Sequence, residues 1–376
     1  MKIAIIGTVY PYRGGLAAYK ERLADQLQNE GHEVTIYTFT VQYPNFLFPG
    51  KTQYSTDPPP ANLNIIRCIN STNPFNWLSV GNRIKKENYD LIIIKFWLPF
   101  MGPSFVTILR RAESNGKTKV VAIIDNMIPH ESRPGDKIFS KYFVKPVDGF
   151  VAMSQNVLED INQFSPDKPK VLSPHPLFDN FGDIFPREEA LQKLGLDPSQ
   201  KYILFFGLIR KYKGLDLLIK AFADPRFRNS GVKLIVAGEY YSDEEEYVNL
   251  IKEHNLEDDI IQVNKFIPNS EVADFFNASD LVVQPYKSAT QSGVTQIAYH
   301  FNKPMIVTDV GGLAEMCPDG KVGFVVPTDP QAIAEGILKY FDGDCQEEMI
   351  EHIKEEKKKY SWEILTQNIF NLAAKF

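Results

Sequence analysis

Short apolar runs alternate with stretches of helical period along the whole chain, and this alternation leaves few folds open. A strand buried on both faces reads as a continuous apolar run, and reaching a parallel neighbour takes a crossover of a dozen or more residues, usually a helix. In the first half such runs predict strands at Lys2–Gly7, Glu33–Phe39, Asn64–Arg67, Asp90–Phe96, Lys119–Ile124, Gly149–Ala152 and Lys170–Leu172. Between the first two, Leu16, Tyr19, Leu23 and Leu27 share one face of a helix over Gly15–Glu30, and Gly31 stands where a helix-ending glycine belongs. Residues 173–186, SPHPLFDNFGDIFP, lack periodicity and read as a linker. The alternation then restarts, with strands predicted at Tyr202–Phe206, Lys233–Ala237, Ile260–Val263, Leu281–Gln284, Met305–Thr308 and Gly323–Val325. Helices are predicted at Gly214–Phe222, Asp243–His254, Ser270–Ala278, Gly293–Phe301 and Pro330–Tyr340. Near the end, Trp362, Leu365, Ile369 and Leu372 mark a last amphipathic helix. The expected fold is α/β, with two Rossmann-like doubly wound domains facing across a cleft at the carboxyl ends of their sheets.

Composition narrows the function classes. A chain of 376 residues suits two domains, and a net charge of −6 argues against nucleic acid as the main partner. Cys68, Cys317 and Cys345 form no CxxC pair, so neither a disulfide framework nor a structural zinc site is expected. The most apolar window, Leu91–Leu109, is interrupted by Lys95, Pro99, Gly102 and Pro103, which reads as a buried strand and a helix start, not a membrane span. The opening MKIAIIGTVYPYRGG has only Ile3–Ile6 as an apolar run, too short for a signal-peptide core. A soluble, cytoplasmic protein is expected.

Three segments could carry chemistry. The first strand ends at Gly7 and a helix opens at Gly14-Gly15, so TVYPYR forms the first βα loop. Paired glycines let a ligand approach backbone amides at a helix N-terminus. This is not a G-x-G-x-x-G fingerprint, and no acidic residue follows Tyr37-Thr38-Phe39, so dinucleotide binding is disfavoured; a plain flexible turn explains the glycines as well. In FFGLIRKYKGLDLLIKAF a strand ends at Gly207, and Arg210, Lys211 and Lys213 crowd the loop before a helix. That placement suits a diphosphate, although solvated surface cations fit the pattern too. In QPYKSATQSGVTQIAYHFNKPMIVTDVGGLAE, Thr290, Gln291, Ser292 and Gly293 put small polar groups at a helix start, again an environment for an anion.

Taken together, YPYRGGLAAY, GHEVTIYTF, FFGLIRKYKG, VAGE, FIPNSEVADFFNASDLVVQPY and KPMIVTDVGGLAE resemble, in order and spacing, the retaining family-4 type (group 1) glycosyltransferases with the GT-B fold. The resemblance implies an acceptor-side domain over 1–175, joined by a returning helix over 361–376, and a nucleotide-sugar-binding domain over 176–360. It implies that Gly14 and Gly15 lie by the donor phosphate and the acceptor, and that Arg210 and Lys213 bind the donor diphosphate with Thr290, Gln291, Ser292 and Gly293. Gly238, Lys265, Phe266 and Ile267 would border the nucleotide base and ribose. A UDP- or GDP-linked sugar would be the donor, a glycan or lipid-linked sugar the acceptor, and polysaccharide biosynthesis the setting, with no cofactor and no metal. Peripheral association with the inner face of a membrane is a further expectation, supported by Lys137, Lys141 and Lys145 recurring near Phe139 and Phe143.

The chain departs from that family twice. Where a Glu-x7-Glu pair is expected, Ala289 and Ile297 stand, with no carboxylate from Ser288 to Ala298. Where a His usually follows the strand ending in the first domain's cleft, the sequence reads Ile124-Asp125-Asn126, with His130 further on. Asp125 and His130 are therefore the candidate catalytic residues, with helix capping and a plain loop histidine as the competing readings. The lost carboxylates keep two alternatives open: a sugar-nucleotide-binding protein without catalysis, and a GT-B-type sugar-nucleotide epimerase. Asp342-Gly343-Asp344 reads as a turn after a helix rather than a metal motif, and His175, between two prolines, as conformational.

Overall fold

The computed structural model describes residues 1–44, 51–128, 134–228, 230–241 and 243–376. They form two compact units, Met1–Pro176 with Tyr360–Phe376, and Leu177–Lys359.

The first unit is built on a parallel sheet of β1 (Lys2–Ile6), β2 (Glu33–Val41), β3 (Ile65–Asn70), β4 (Leu91–Phe96), β5 (Lys119–Ile124), β6 (Gly149–Ala152) and β7 (Lys170–Leu172). Their spatial order is β3-β2-β1-β4-β5-β6-β7. Connections from β1 run outward in both directions, so the strand order reverses between β1 and β4. Ligands of doubly wound folds lodge at such a switch point, outside the carboxyl ends of the strands. Each strand lies among helices, which is why β4 reads LIIIKF with every residue buried.

The second unit repeats the plan with β8 (Lys201–Phe206), β9 (Val232–Ala237), β10 (Ile260–Val263), β11 (Leu281–Gln284), β12 (Met305–Thr308) and β13 (Gly323–Val326). Their order, β10-β9-β8-β11-β12-β13, reverses between β8 and β11. Every strand expected from the apolar runs is present, with ends shifted by at most a few residues. Helices Pro74–Glu87 and Gln155–Phe164, which the apolar pattern did not single out, complete crossovers of the first sheet, and Arg187–Leu194 precedes the first strand of the second. Gly31 has a left-handed φ of 85° just past the helix Gly15–Asn29.

One reading needs correction. Within 173–186, residues from Leu177 onward are not a loose linker but pack on the second unit. Asn277 Nδ2 donates to Asp183 O at 3.1 Å, Phe185 N donates to Asn277 Oδ1 at 3.3 Å, and the His300 ring nitrogen bonds Gly182 O at 2.8 Å. Asp342 closes the helix Pro330–Asp342, and Gly343 follows as its C-cap, where a Cβ would stand 2.9 Å from Lys339 O, so a glycine ends this helix as expected.

The last helix, Trp362–Ala373, belongs to the first unit. Ser361 caps it by accepting from Ile364 N, and Trp362, Leu365, Ile369 and Leu372 are buried. Trp362 lies 5.1 Å from the Tyr19 ring and beneath the Arg22 guanidinium at 5.3 Å. Thr366 Oγ1 donates to Glu30 Oε1 at 2.7 Å. Trp362→Ala should therefore destabilise the first unit by about 3–5 kcal/mol, read from the urea unfolding midpoint. An unchanged midpoint would mean that this helix is not part of the unit's core.

Candidate functional site

In the second unit the loops after β8 and β11 meet at the switch point. Gly207 ends β8 with φ 97°, a conformation side chains rarely adopt. The Lys213 ammonium lies against it, 3.2 Å from where a Cβ would stand, and 5.6 Å from the Tyr286 ring centroid. Among the described residues Lys213 has no hydrogen-bond or ion-pair partner. Withdrawal from water, and then the Arg210 guanidinium beside it, push its pKa down to about 8. Arg210 stacks over Tyr241 at 5.2 Å. Lys211 is spent differently, in an exposed ion pair with Glu246 at 3.0 Å.

From the other side of the switch point come Thr290, Gln291, Ser292 and Gly293, the last opening the helix Gly293–His300. Ser292 precedes that helix without capping it; its hydroxyl lies 3.3 Å from Tyr286 Oη instead. Lys287 N donates to Tyr212 O at 2.7 Å, and Lys287 pairs with Asp216 at 2.8 Å, so the two loops are stitched together. Arg210, Lys213 and residues 290–293 thus share one edge of the sheet. Gly238 and residues 265–267 follow β9 and β10 on the far side of β8, along the same carboxyl edge. There Lys265 is paired with Glu271 at 2.6 Å, Ile267 is core, and Phe266 is half-exposed. Ala289 and Ile297 are buried, so apolar side chains fill the positions of the missing carboxylates. The neighbouring polar groups are neutral: Thr295 Oγ1 donates to Gln284 Oε1 at 3.0 Å, and Gln296 Nε2 lies 3.5 Å from Met316 Sδ.

In the first unit, Gly14 precedes the helix Gly15–Asn29 at φ 93° with open space where a Cβ would be, and Gly15 is exposed. The loop before them is tied back, because Glu21 Oε1 accepts from Tyr10 N at 2.7 Å and Arg13 N donates to Gln53 O at 3.1 Å. Asp125 follows β5, and its carboxylate holds the Lys95 ammonium at 2.7 Å, with side chains 11% and 3% exposed. Lys95 also lies 3.5 Å above the Tyr19 ring centroid. Burial lowers the Lys95 pKa while Asp125 opposes that shift. Tyr19 meets the His175 ring edge-on at 5.1 Å. Burial, and then Lys95, hold His175 down at about 3, so it is a neutral ring whose Nδ1 donates to Pro176 O at 2.7 Å. His130 lies outside the described residues.

Sequence reasoning missed Lys95 and Lys20. The signal for Lys95 was present, a lone cation in the LIIIKF strand, but it served only to exclude a membrane span. Lys20 falls on the apolar face of its helix, where helical period predicts a hydrophobic residue.

Residues 13–174 match the model of the family described as Glycosyltransferase Family 4, and residues 186–360 match Glycosyl transferases group 1. The chain is a glycosyltransferase with the GT-B fold. An uncharacterized glycosyltransferase of Methanocaldococcus jannaschii is 24% identical over 99% of this chain and 98% of its own length. The spore coat protein SA of Bacillus subtilis is 23% identical over the full length of both. A D-inositol 3-phosphate glycosyltransferase of Corynebacterium glutamicum is 24% identical over 93% of this chain and 88% of its own. Among solved structures, sucrose-phosphate synthase from Thermosynechococcus elongatus superposes with a TM-score of 0.76 at 18% identity, covering 100% of this chain and 98% of that one. HepE from Anabaena in complex with UDP gives 0.74 at 16% identity over the full length of both. This glycosyltransferase therefore shares their fold.

The buried pair in its first unit can be weighed directly. Asp125→Ala leaves the Lys95 ammonium without its carboxylate and should destabilise the chain by about 3–5 kcal/mol. Lys95→Met with Asp125→Leu should restore most of that, because the desolvated charges then vanish together. Urea unfolding of the three variants checks it. Equal stability of Asp125→Ala and the parent would show that the pair contributes nothing.

Proposed function

We propose that this glycosyltransferase moves a sugar from a nucleotide-sugar donor, UDP- or GDP-linked, to a glycan or lipid-linked acceptor, with retention of configuration and without metal or other cofactor. The observation that carries the donor assignment is the Lys213 ammonium, which rests on Gly207 at the switch point beside Arg210 with no carboxylate partner among the described residues. Withdrawing a cation from water without a counter-charge is unfavourable, and a diphosphate at this edge would supply the missing charge. Several relatives are named as transferases, and HepE is described in complex with UDP and with UDP-glucose, which supports the same reading. As the sugar–phosphate bond breaks, charge grows on the departing diphosphate. Lys213, Arg210 and the helix start at Gly293 are fixed where they would stabilise it. Asp125, its carboxylate held by Lys95, would orient the acceptor hydroxyl; in a front-face displacement the leaving diphosphate takes that hydroxyl's proton.

A hydrogen bond to a charged group contributes about 1.5–3 kcal/mol, so Lys213→Ala should lower kcat/KM for the donor roughly ten- to a hundred-fold. Arg210→Ala should do the same, and Lys211→Ala, whose charge already serves Glu246, should do little. Because free Lys213 loses its proton near pH 8, nucleoside diphosphate binding should weaken from about pH 7 to about pH 9 in the parent and stay flat in Lys213→Ala. Steady-state kinetics and calorimetry check both. Unchanged kinetics for Lys213→Ala would remove the diphosphate from this loop.

The acceptor side of the reading includes a membrane surface. The helix Asp136–Phe143 exposes Lys137, Lys141, Ile138 at 71% and Phe139 at 37%, while Phe143 is core. Lys145 is exposed just past its end. Phe75, on the helix Pro74–Glu87, is 84% exposed. Each lysine near anionic lipid contributes about 1 kcal/mol, an attraction that salt screens. Flotation with anionic vesicles should therefore fall when Lys137, Lys141 and Lys145 are changed to Ser, more visibly at low salt. Equal flotation of both proteins, or none by either, would leave a soluble acceptor as the better assignment.

A further inference from the structure

Ser292 stands where a helix cap belongs and does not act as one. Its backbone, at φ −137° and ψ 123°, has the extended geometry of a capping residue, and Gly293 opens the helix Gly293–His300 directly after it. The Ser292 hydroxyl nevertheless makes no capping hydrogen bond and lies 3.3 Å from Tyr286 Oη. The first N–H groups of a helix have no partner within it, so this helix start keeps donors that a serine would ordinarily take.

Tyr286 is held from several sides. It is 3% exposed, Thr308 Oγ1 donates to its carbonyl at 2.6 Å, and the Tyr212 ring meets its ring edge-on at 6.2 Å. Burial pushes its pKa up, only partly offset by Ser292, so the hydroxyl stays protonated. A buried hydroxyl needs a partner inside the fold, and Ser292, 5% exposed, supplies it. Around this buried pair, Thr290, Gln291 and Gly293 keep part of their surface. An ideal Cβ at Gly207 would stand 3.2 Å from Lys213 Nζ and 3.8 Å from Val294 Cγ2, so the ammonium and the first turn of the helix converge on the end of β8.

We propose that Tyr286 is a positioning residue of the donor site: by holding the Ser292 hydroxyl it keeps the helix start uncapped, and leaves the first-turn amides beside Lys213 to the donor's phosphate. This role rests on the diphosphate reading. Without the tyrosine hydroxyl, Ser292 turns to its own helix and caps it. A ligand that needs the same amides must then displace the cap, and its affinity falls by the factor that the cap contributes.

Inorganic pyrophosphate is the probe, because it presents a diphosphate without a base. Calorimetry compares the full chain with Tyr286→Phe, Ser292→Ala and the double variant. Tyr286→Phe keeps the ring beside Tyr212 and Lys213 and removes only the hydroxyl. It should bind pyrophosphate about fivefold more weakly than the parent, and the double variant should regain the affinity of Ser292→Ala, since no serine is left to cap. Without ligand, amide hydrogen exchange across residues 293–295 should slow about fivefold in Tyr286→Phe and return in the double variant. Equal affinity of Tyr286→Phe and the parent overturns the role, as does a loss that persists in the double variant relative to Ser292→Ala. Unslowed exchange in Tyr286→Phe overturns it with no ligand present. Its failure is thus distinct from that of the diphosphate reading, which falls if the parent binds no pyrophosphate.

Discussion

Both units depend on one constraint: a parallel sheet whose connections leave its first strand in opposite directions. At that point neighbouring loops splay apart and leave a crevice where no crossover helix covers the carboxyl ends. Backbone amides, glycines and helix N-termini gather there because the chain turns from strand to helix at every position. The two cations set there are withdrawn from water to different degrees: Lys213 keeps part of its surface, whereas Lys20 is 1% exposed. Gly7 and Gly207 end the two first strands in conformations that favour glycine, and the missing side chain gives each lysine its place.

The energetics of these lysines separate architecture from chemistry. Lys95 is a structural success in its own terms, because the Asp125 carboxylate and the Tyr19 ring offset the loss of water. Lys20 and Lys213 also lie near aromatic rings but close no ion pair with a carboxylate among the described residues, and burial lowers the pKa of both. A charge kept in a crevice at a cost to stability is where a ligand of opposite sign gains most, since desolvation has already been met in the fold. The surface cations behave otherwise: Lys211, Lys265 and Lys287 each close an ion pair with a nearby carboxylate and add little.

Much of this was legible in the chain because it is local. Strands buried on both faces announce themselves as apolar runs, and Arg210, Lys213 and Gly207 sit within one short segment whose strand-loop-helix form can be read directly. The cluster in the first unit was not legible, because its members come from separate segments, Lys20 on a helix, Lys95 in β4 and Asp125 after β5. Nothing in the spacing of a lone Asp after a strand says that a lysine from the next strand over will hold it. The helix Asp136–Phe143 shows the same limit, since period alone grouped Phe139 with Phe143, whereas packing exposes the first and buries the second.

The sequence by itself determined two doubly wound α/β units, since hydrophobic period is a one-dimensional record of what each segment buries. It also determined the absence of carboxylates between Ser288 and Ala298, which no folding can supply. Only the tertiary structure decided which charges are answered and which are not. Parallel pairing sets Lys95 beside Ile123 in register, which brings the residue after Ile124 to its ammonium, while Lys20 is left with a carbonyl and a ring. Charge balance in a crevice depends on which strands are neighbours, and strand order is a property of the folded chain.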